Sequence, residues 1–115
     1  MRIERLSDHQ VVVRDLRMAD NFFTRAKGLL GSRKLPEGQG LLIRPCNSVH
    51  MLGMSYAIDV VFLSKAMEVV RVIPELKPWR LSPVVKGAYQ VLELPVGTIT
   101  GVGLVPGDKL VVLTQ

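Results

Sequence analysis

The hydrophobic positions of this chain change their period several times, and each change predicts an element. His9-Gln10-Val11-Val12-Val13-Arg14 is dense in β-branched residues and predicts a first strand. Phe22, Phe23, Ala26, Leu29 and Leu30 then fall at i, i+1, i+4, i+7 and i+8, one stripe of a helix, with Asp20, Thr24, Arg25 and Lys27 off it. An amphipathic helix over residues 19–30 follows, stopped by Gly31, which can take positive φ at the C′ position. Gly28 lies opposite the stripe, where it costs about 1 kcal/mol relative to Ala and has no packing reason.

After a loop marked by Pro36, Gly38 and Gly40, the period shortens to that of strands. Leu41-Leu42-Ile43 is a short buried strand ended by Pro45, which cannot donate to a ladder. Extended structure resumes over residues 47–51. Residues 59–63 make a strand buried on both faces, and Ser64-Lys65-Ala66 turns it into a hairpin with residues 67–73. Residues 74–83, centred on Pro78 and Trp79, predict an ordered crossing loop. Residues 89–94 and 109–113 supply further strands, with one helical turn expected within 97–104. In Pro106-Gly107-Asp108, proline presets φ, glycine allows positive φ, and aspartate bonds the turn backbone. The pattern predicts a single domain over residues 1–115, mostly β (α+β). Its expected form is a small closed or half-closed β-barrel of short strands with one N-terminal amphipathic helix, because closure removes strand edges.

Composition narrows the class. With 115 residues, 48% hydrophobic and 22% charged, the chain is that of an ordinary globular domain able to bury one real core. Aromatics are only 5%, so Val, Leu and Ile must fill the interior. One cysteine forms no intramolecular disulfide, charge appears early at Arg2, Glu4 and Arg5, and no apolar run reaches the length of a membrane span. A soluble cytoplasmic protein without a membrane partner is the expectation. The net charge of +5 is concentrated at the start: Arg2, Arg5, Arg14, Arg17, Arg25, Lys27, Arg33 and Lys34 face only four acids in that stretch. Such an end can steer toward nucleic acid or an acidic partner, yet no aromatic platform or nucleic-acid motif is interleaved with it.

Candidate chemistry gathers between Cys46 and Leu63. If residues 46–50 are extended, Cys46, Ser48 and His50 share a face, but Cys46 and His50 stand two steps apart, too far for a direct nucleophile–base pair. Cys46 is better read as a small core residue. His50 and Asp59 are the stronger pair: a carboxylate on one ring nitrogen fixes the tautomer and leaves the other as base, acid or ligand. Against this stands the reading of Asp59 as a loop cap. Cys46, His50 and Asp59 would be three ligands without any short-spaced Cys/His motif, so no metal and no cofactor is expected. Met51, Met54 and Met67 are core filler or an adaptable pocket wall, and Trp79 is a stacking surface or a lid.

Taken in order, Lys27-Gly28-Leu29-Leu30-Gly31, Gly40-Leu41-Leu42-Ile43, Cys46-Asn47-Ser48-Val49-His50-Met51, Gly53-Met54, Ile58-Asp59-Val60-Val61-Phe62-Leu63, Val91-Leu92-Glu93-Leu94-Pro95, Gly97 and Gly107-Asp108 span nearly the whole chain. The series resembles domain-of-unknown-function family 192, small uncharacterised bacterial and archaeal proteins, some of which look exported. The resemblance implies a compact β-rich fold with an N-terminal helix. It implies no activity and carries over no catalytic residue. Where the family often closes the hairpin with glycine, this chain has Ser64-Lys65-Ala66.

Three functions are compatible with these residues. The foremost is a non-enzymatic module that binds a small polar or carbohydrate-like ligand in a polar cleft bordered by Ser48, His50, Met54, Asp59 and Trp79. The second is a hydrolase or transferase with His50 as base, Asp59 as its orienting partner and Cys46 or Ser48 as nucleophile. The third is a nucleic-acid accessory protein acting through the basic N-terminal third.

Overall fold

The computed structural model describes residues 1–19 and 35–114. Among them the order of elements is β1 (Arg2–Arg5), β2 (Val11–Val13), β3 (Asp15–Ala19), β4 (Gln39–Ile43), β5 (Ile58–Leu63), β6 (Val69–Leu76), β7 (Gln90–Leu94), α1 (Thr98–Val102) and β8 (Leu110–Leu113). The strands form two sheets, a three-stranded β2-β1-β8 and a five-stranded β3-β4-β7-β5-β6. The predicted mostly β class holds. Of the predicted closed or half-closed barrel, no closed barrel forms among the described residues, whose strands lie in two sheets, and the expected amphipathic helix over 19–30 lies outside the described residues apart from Ala19, which ends β3.

Strand alternation shows why two sheets suffice. Ile58, Val60 and Phe62 of β5 leave one face of the large sheet with Leu41, Ile43 and Val91. Val61 and Leu63 leave the other with Leu42, Leu92 and Leu94, and meet Ile3, Val12 and Val13 of the small sheet. The central sheet is thus covered on both sides, which matches the continuous apolar run of β5, buried at every position. Each such side chain contributes on the order of 1.5–3 kcal/mol by leaving water. The edges are managed without closure. β2 has three residues and β8 four, while the edge strand β6 carries exposed Arg71, Pro74 and Glu75.

Besides this shared core, the sheets are joined at two corners. Arg14 carries the chain from β2 into β3, and at the other end an isolated bridge pairs Glu68 with Lys109. β3 runs parallel to β4, with Leu16 opposite Gly40, whereas the other pairs in both sheets are antiparallel. Gly40 has no room for a side chain: a Cβ there would stand 2.8 Å from Val13 Cγ2 and 3.2 Å from Leu94 Cδ2. β1 was not anticipated from the sequence, since only Ile3 in Arg2-Ile3-Glu4-Arg5 belongs to a core. The 106–108 turn formed as its residues require: Gly107 has φ 97°, Asp108 N–H donates to the Val105 carbonyl, and the Asp108 carboxylate accepts from Val105 N–H.

Candidate functional site

The stretch after β4 folds back on the 79–85 segment rather than joining a sheet. The Arg44–Pro45 peptide is cis. Beyond it, Met51 N–H donates to the Arg80 carbonyl, Ser82 N–H to Val49 and Val85 N–H to Asn47, with His50 bridged to Leu81. Ser82 Oγ accepts from Val49 N–H at 2.8 Å, a side chain standing in for a backbone acceptor. The result is a short antiparallel ladder laid over one face of the large sheet. Its alternation sends Val49 and Met51 into the core, while Ser48 and Leu52 face solvent and His50 lies between them, half-buried.

His50 and Leu81 oppose each other in the ladder position where side chains approach most closely. Trp79, whose N–H donates to the Met51 carbonyl at 2.8 Å, is 67% exposed with φ 66°, and Leu81 is 68% exposed. Ser48, His50 and Trp79 therefore share the outer surface of one ladder, together with Leu52 and Leu81. His50 Nδ1 accepts from Leu52 N–H at 3.3 Å. Cys46 is partly buried against the core below, and its Sγ–H turns back to the Ser48 carbonyl at 3.0 Å.

The other two predicted site residues lie elsewhere. Met54 is buried beneath the ladder with Met51 and Ile58. Asp59 is completely buried and leaves the opposite face of the sheet, across from Leu94. Its Oδ1 accepts from Glu75 N–H at 2.9 Å, and its Oδ2 from Gly97 N–H at 3.1 Å and Ile99 N–H at 2.9 Å. The Glu75 bond holds a bulge, because Ile58 and Val60 of β5 pair with Leu76 and Ile73 across one extra residue of β6, and Glu75 takes φ 52° there. The Gly97 and Ile99 bonds fix the start of α1. Asp59 caps backbone N–H groups at the bulge and at the start of α1, and it leaves the sheet on the face opposite the ladder that carries His50, so the expected His50–Asp59 pair is not brought together. The hydrolase arrangement loses its orienting group with it.

A cleft of about 780 Å³ opens between β2, the 35–38 turn and α1, bordered by Val12, Arg14, Leu35, Pro95, Gly97 and Val102. The five predicted binding residues do not line it, although Asp59 anchors one of its walls through Gly97. The sequence reading passed over Glu93, a completely buried carboxylate in the central strand β7, between Leu41 and Val60. The one sequence signal was an acid inside an apolar run. Among the described residues no group of three His, Cys, Asp or Glu side chains could hold a metal ion. Nor is any described helix long and apolar enough to cross a membrane.

The basic N-terminal third offers fewer available cations than its sequence suggests. Arg2 pairs with Glu4 at 2.9 Å, and Arg5 with Asp8 at 2.8 Å and Asp108 at 3.4 Å. Hydrogen bonding to Arg5 holds the Asp8 carboxyl well below the usual range, at about 2. Arg25, Lys27, Arg33 and Lys34 lie outside the described residues.

Comparison with known proteins agrees with this geometry. Residues 3–112 match the model of domain-of-unknown-function family 192, described as Uncharacterized ACR. A UPF0127 protein of Pyrococcus furiosus is 37% identical over 101 residues, covering 84% of each chain. One of Thermococcus sibiricus is 32% identical over 99 residues, covering 83% of this chain and 64% of the relative. The fold is similar to that of a protein of unknown function from Novosphingobium aromaticivorans, with a TM-score of 0.80 at 22% identity over 96% of this chain and 82% of the other. The chain belongs to this uncharacterised family.

Proposed function

We propose that this family member is a non-enzymatic binding module, and that its ligand, a small polar or carbohydrate-like molecule, rests on the outer surface of the 47–52/79–85 ladder. The observation that carries this is Trp79, an aromatic face 67% exposed on a backbone tied to Met51. Its indole offers a large apolar plane to a ligand, on a backbone already fixed to the ladder. Ser48 and His50 border the same surface and supply hydroxyl and ring groups for a ligand's hydroxyls. Met54 supports the ladder from below, and Asp59 acts at a distance by fixing the sheet's bulge and the start of α1. The binding surface is thus a ledge with three of the five expected residues rather than a cleft bordered by all of them.

Trp79 is the only tryptophan, so its fluorescence reports contact directly. Titration with a panel of oligosaccharides should perturb that emission, and Trp79→Ala should weaken binding about tenfold or more, measured by calorimetry. The exposed position predicts an unchanged melting temperature for the variant. Binding that survives Trp79→Ala undiminished, or a panel that leaves the emission untouched, removes the proposal.

A further inference from the structure

Resting on that binding reading, we infer that the ligand is anionic, a carboxylate-bearing saccharide such as a uronate oligomer. Taken together, the two segments of the ladder carry cations and no acid. Lys77, Arg80 and Lys86 are all exposed, and none joins an ion pair among the described residues. Between Leu76 and Leu92 the chain has no Asp or Glu, nor has it any between Pro45 and Ile58, so neither segment of the ladder carries an acid. This differs from the N-terminal region, where Arg2 and Arg5 are neutralised by Glu4, Asp8 and Asp108.

The placement matches an extended ligand. Lys77 stands two residues before Trp79, and Lys86 follows Val85, whose N–H meets Asn47 at the far end of the ladder. At about 3.3 Å per residue, the four steps from Asn47 to Met51 span roughly 13 Å. That length accommodates more than one sugar ring, with Lys77 and Arg80 toward the Met51 end and Lys86 toward the Asn47 end. Arg80 offers a planar fork suited to a carboxylate, and Trp79 offers a face for the ring. A nucleic acid is also an anion that stacks, but binding along a strand uses a series of aromatic platforms, and this surface has one.

The test is a titration of the full chain, followed by Trp79 emission, with three probes: an oligogalacturonate, a neutral maltooligosaccharide of equal length, and a mixed-sequence single-stranded oligonucleotide. The acidic saccharide is expected to bind at least tenfold more tightly than the neutral one and to weaken as salt is added. Arg80→Gln should cost about tenfold for the acidic probe and leave the neutral one unchanged. Lys77→Gln combined with Lys86→Gln should reduce the salt dependence, with unchanged circular dichroism confirming the fold. Equal binding of acidic and neutral saccharides, indifferent to salt and to Arg80→Gln, overturns the inference and leaves the binding proposal standing. A response to the oligonucleotide alone, or to no probe, overturns both.

Discussion

Asp59 is a charged side chain with no contact to water, a position that is costly unless hydrogen bonds replace those lost. Here they do, from Glu75, Gly97 and Ile99. Asp59→Asn puts an amide donor where an acceptor stood, so one or two buried N–H groups face a donor. At about 1–3 kcal/mol for each bond left unmade, the variant should lose roughly 1–6 kcal/mol, read as a lower urea midpoint. An unchanged midpoint would return the carboxylate to the list of chemical candidates. An aspartate before an apolar run gives the same sequence signal whether it orients an imidazole or caps a turn. Which it does depends on the face it leaves from, and a strand buried on both sides has no polar face to mark that choice. Ser48, His50 and Trp79 belong instead to stretches whose partner segment leaves one side in solvent, so their exposure follows from the ladder.

Elements were legible where their burial was symmetric or their turns demanded particular residues. β5, β7 and β8 follow from apolar runs, and the 106–108 turn from Pro106 and Gly107. β1 escaped because charged residues flank Ile3, and the parallel pairing of β3 with β4 has no local signature at all. The barrel was a solution to exposed edges that short and charged edge strands had already solved. Where the sheets meet, the decisive element is β4, whose Gly40 lets Val13 and Leu94 close over its backbone. Val13 belongs to the small sheet and Leu94 to the large one, so a methyl group there pushes the two apart. Gly40→Ala should therefore destabilise the protein by about 1–3 kcal/mol despite the better strand propensity of alanine, as measured by chemical denaturation. Stability equal to or above that of the parent would mean that the sheets tolerate a wider spacing than their packing indicates.

The large sheet belongs to both cores, and this sharing sets how the whole molecule should unfold. Phe62 lies in the core beneath the ladder and Leu92 in the core against the small sheet, yet their strands, β5 and β7, are hydrogen-bonded neighbours. Two cores on separate elements could melt independently; two cores on opposite sides of the same strands lose their common wall together. The amides of Ile58–Leu63 and Gln90–Leu94, buried at every position, should therefore be among the slowest to exchange with deuterium and should report the global unfolding free energy. Phe62→Ala removes about 3–5 kcal/mol from one core, and Leu92→Ala about 2–5 kcal/mol from the other. If unfolding is shared, either substitution lowers the protection of both strands by the same amount, including amides whose neighbouring side chains face away from the cavity. Protection lost only on the mutated side would show that the ladder with its core, or the small sheet with its own, opens as a separate unit. In that case the exposed ledge around Trp79 would be carried by a part of the protein able to loosen while the central sheet stayed folded.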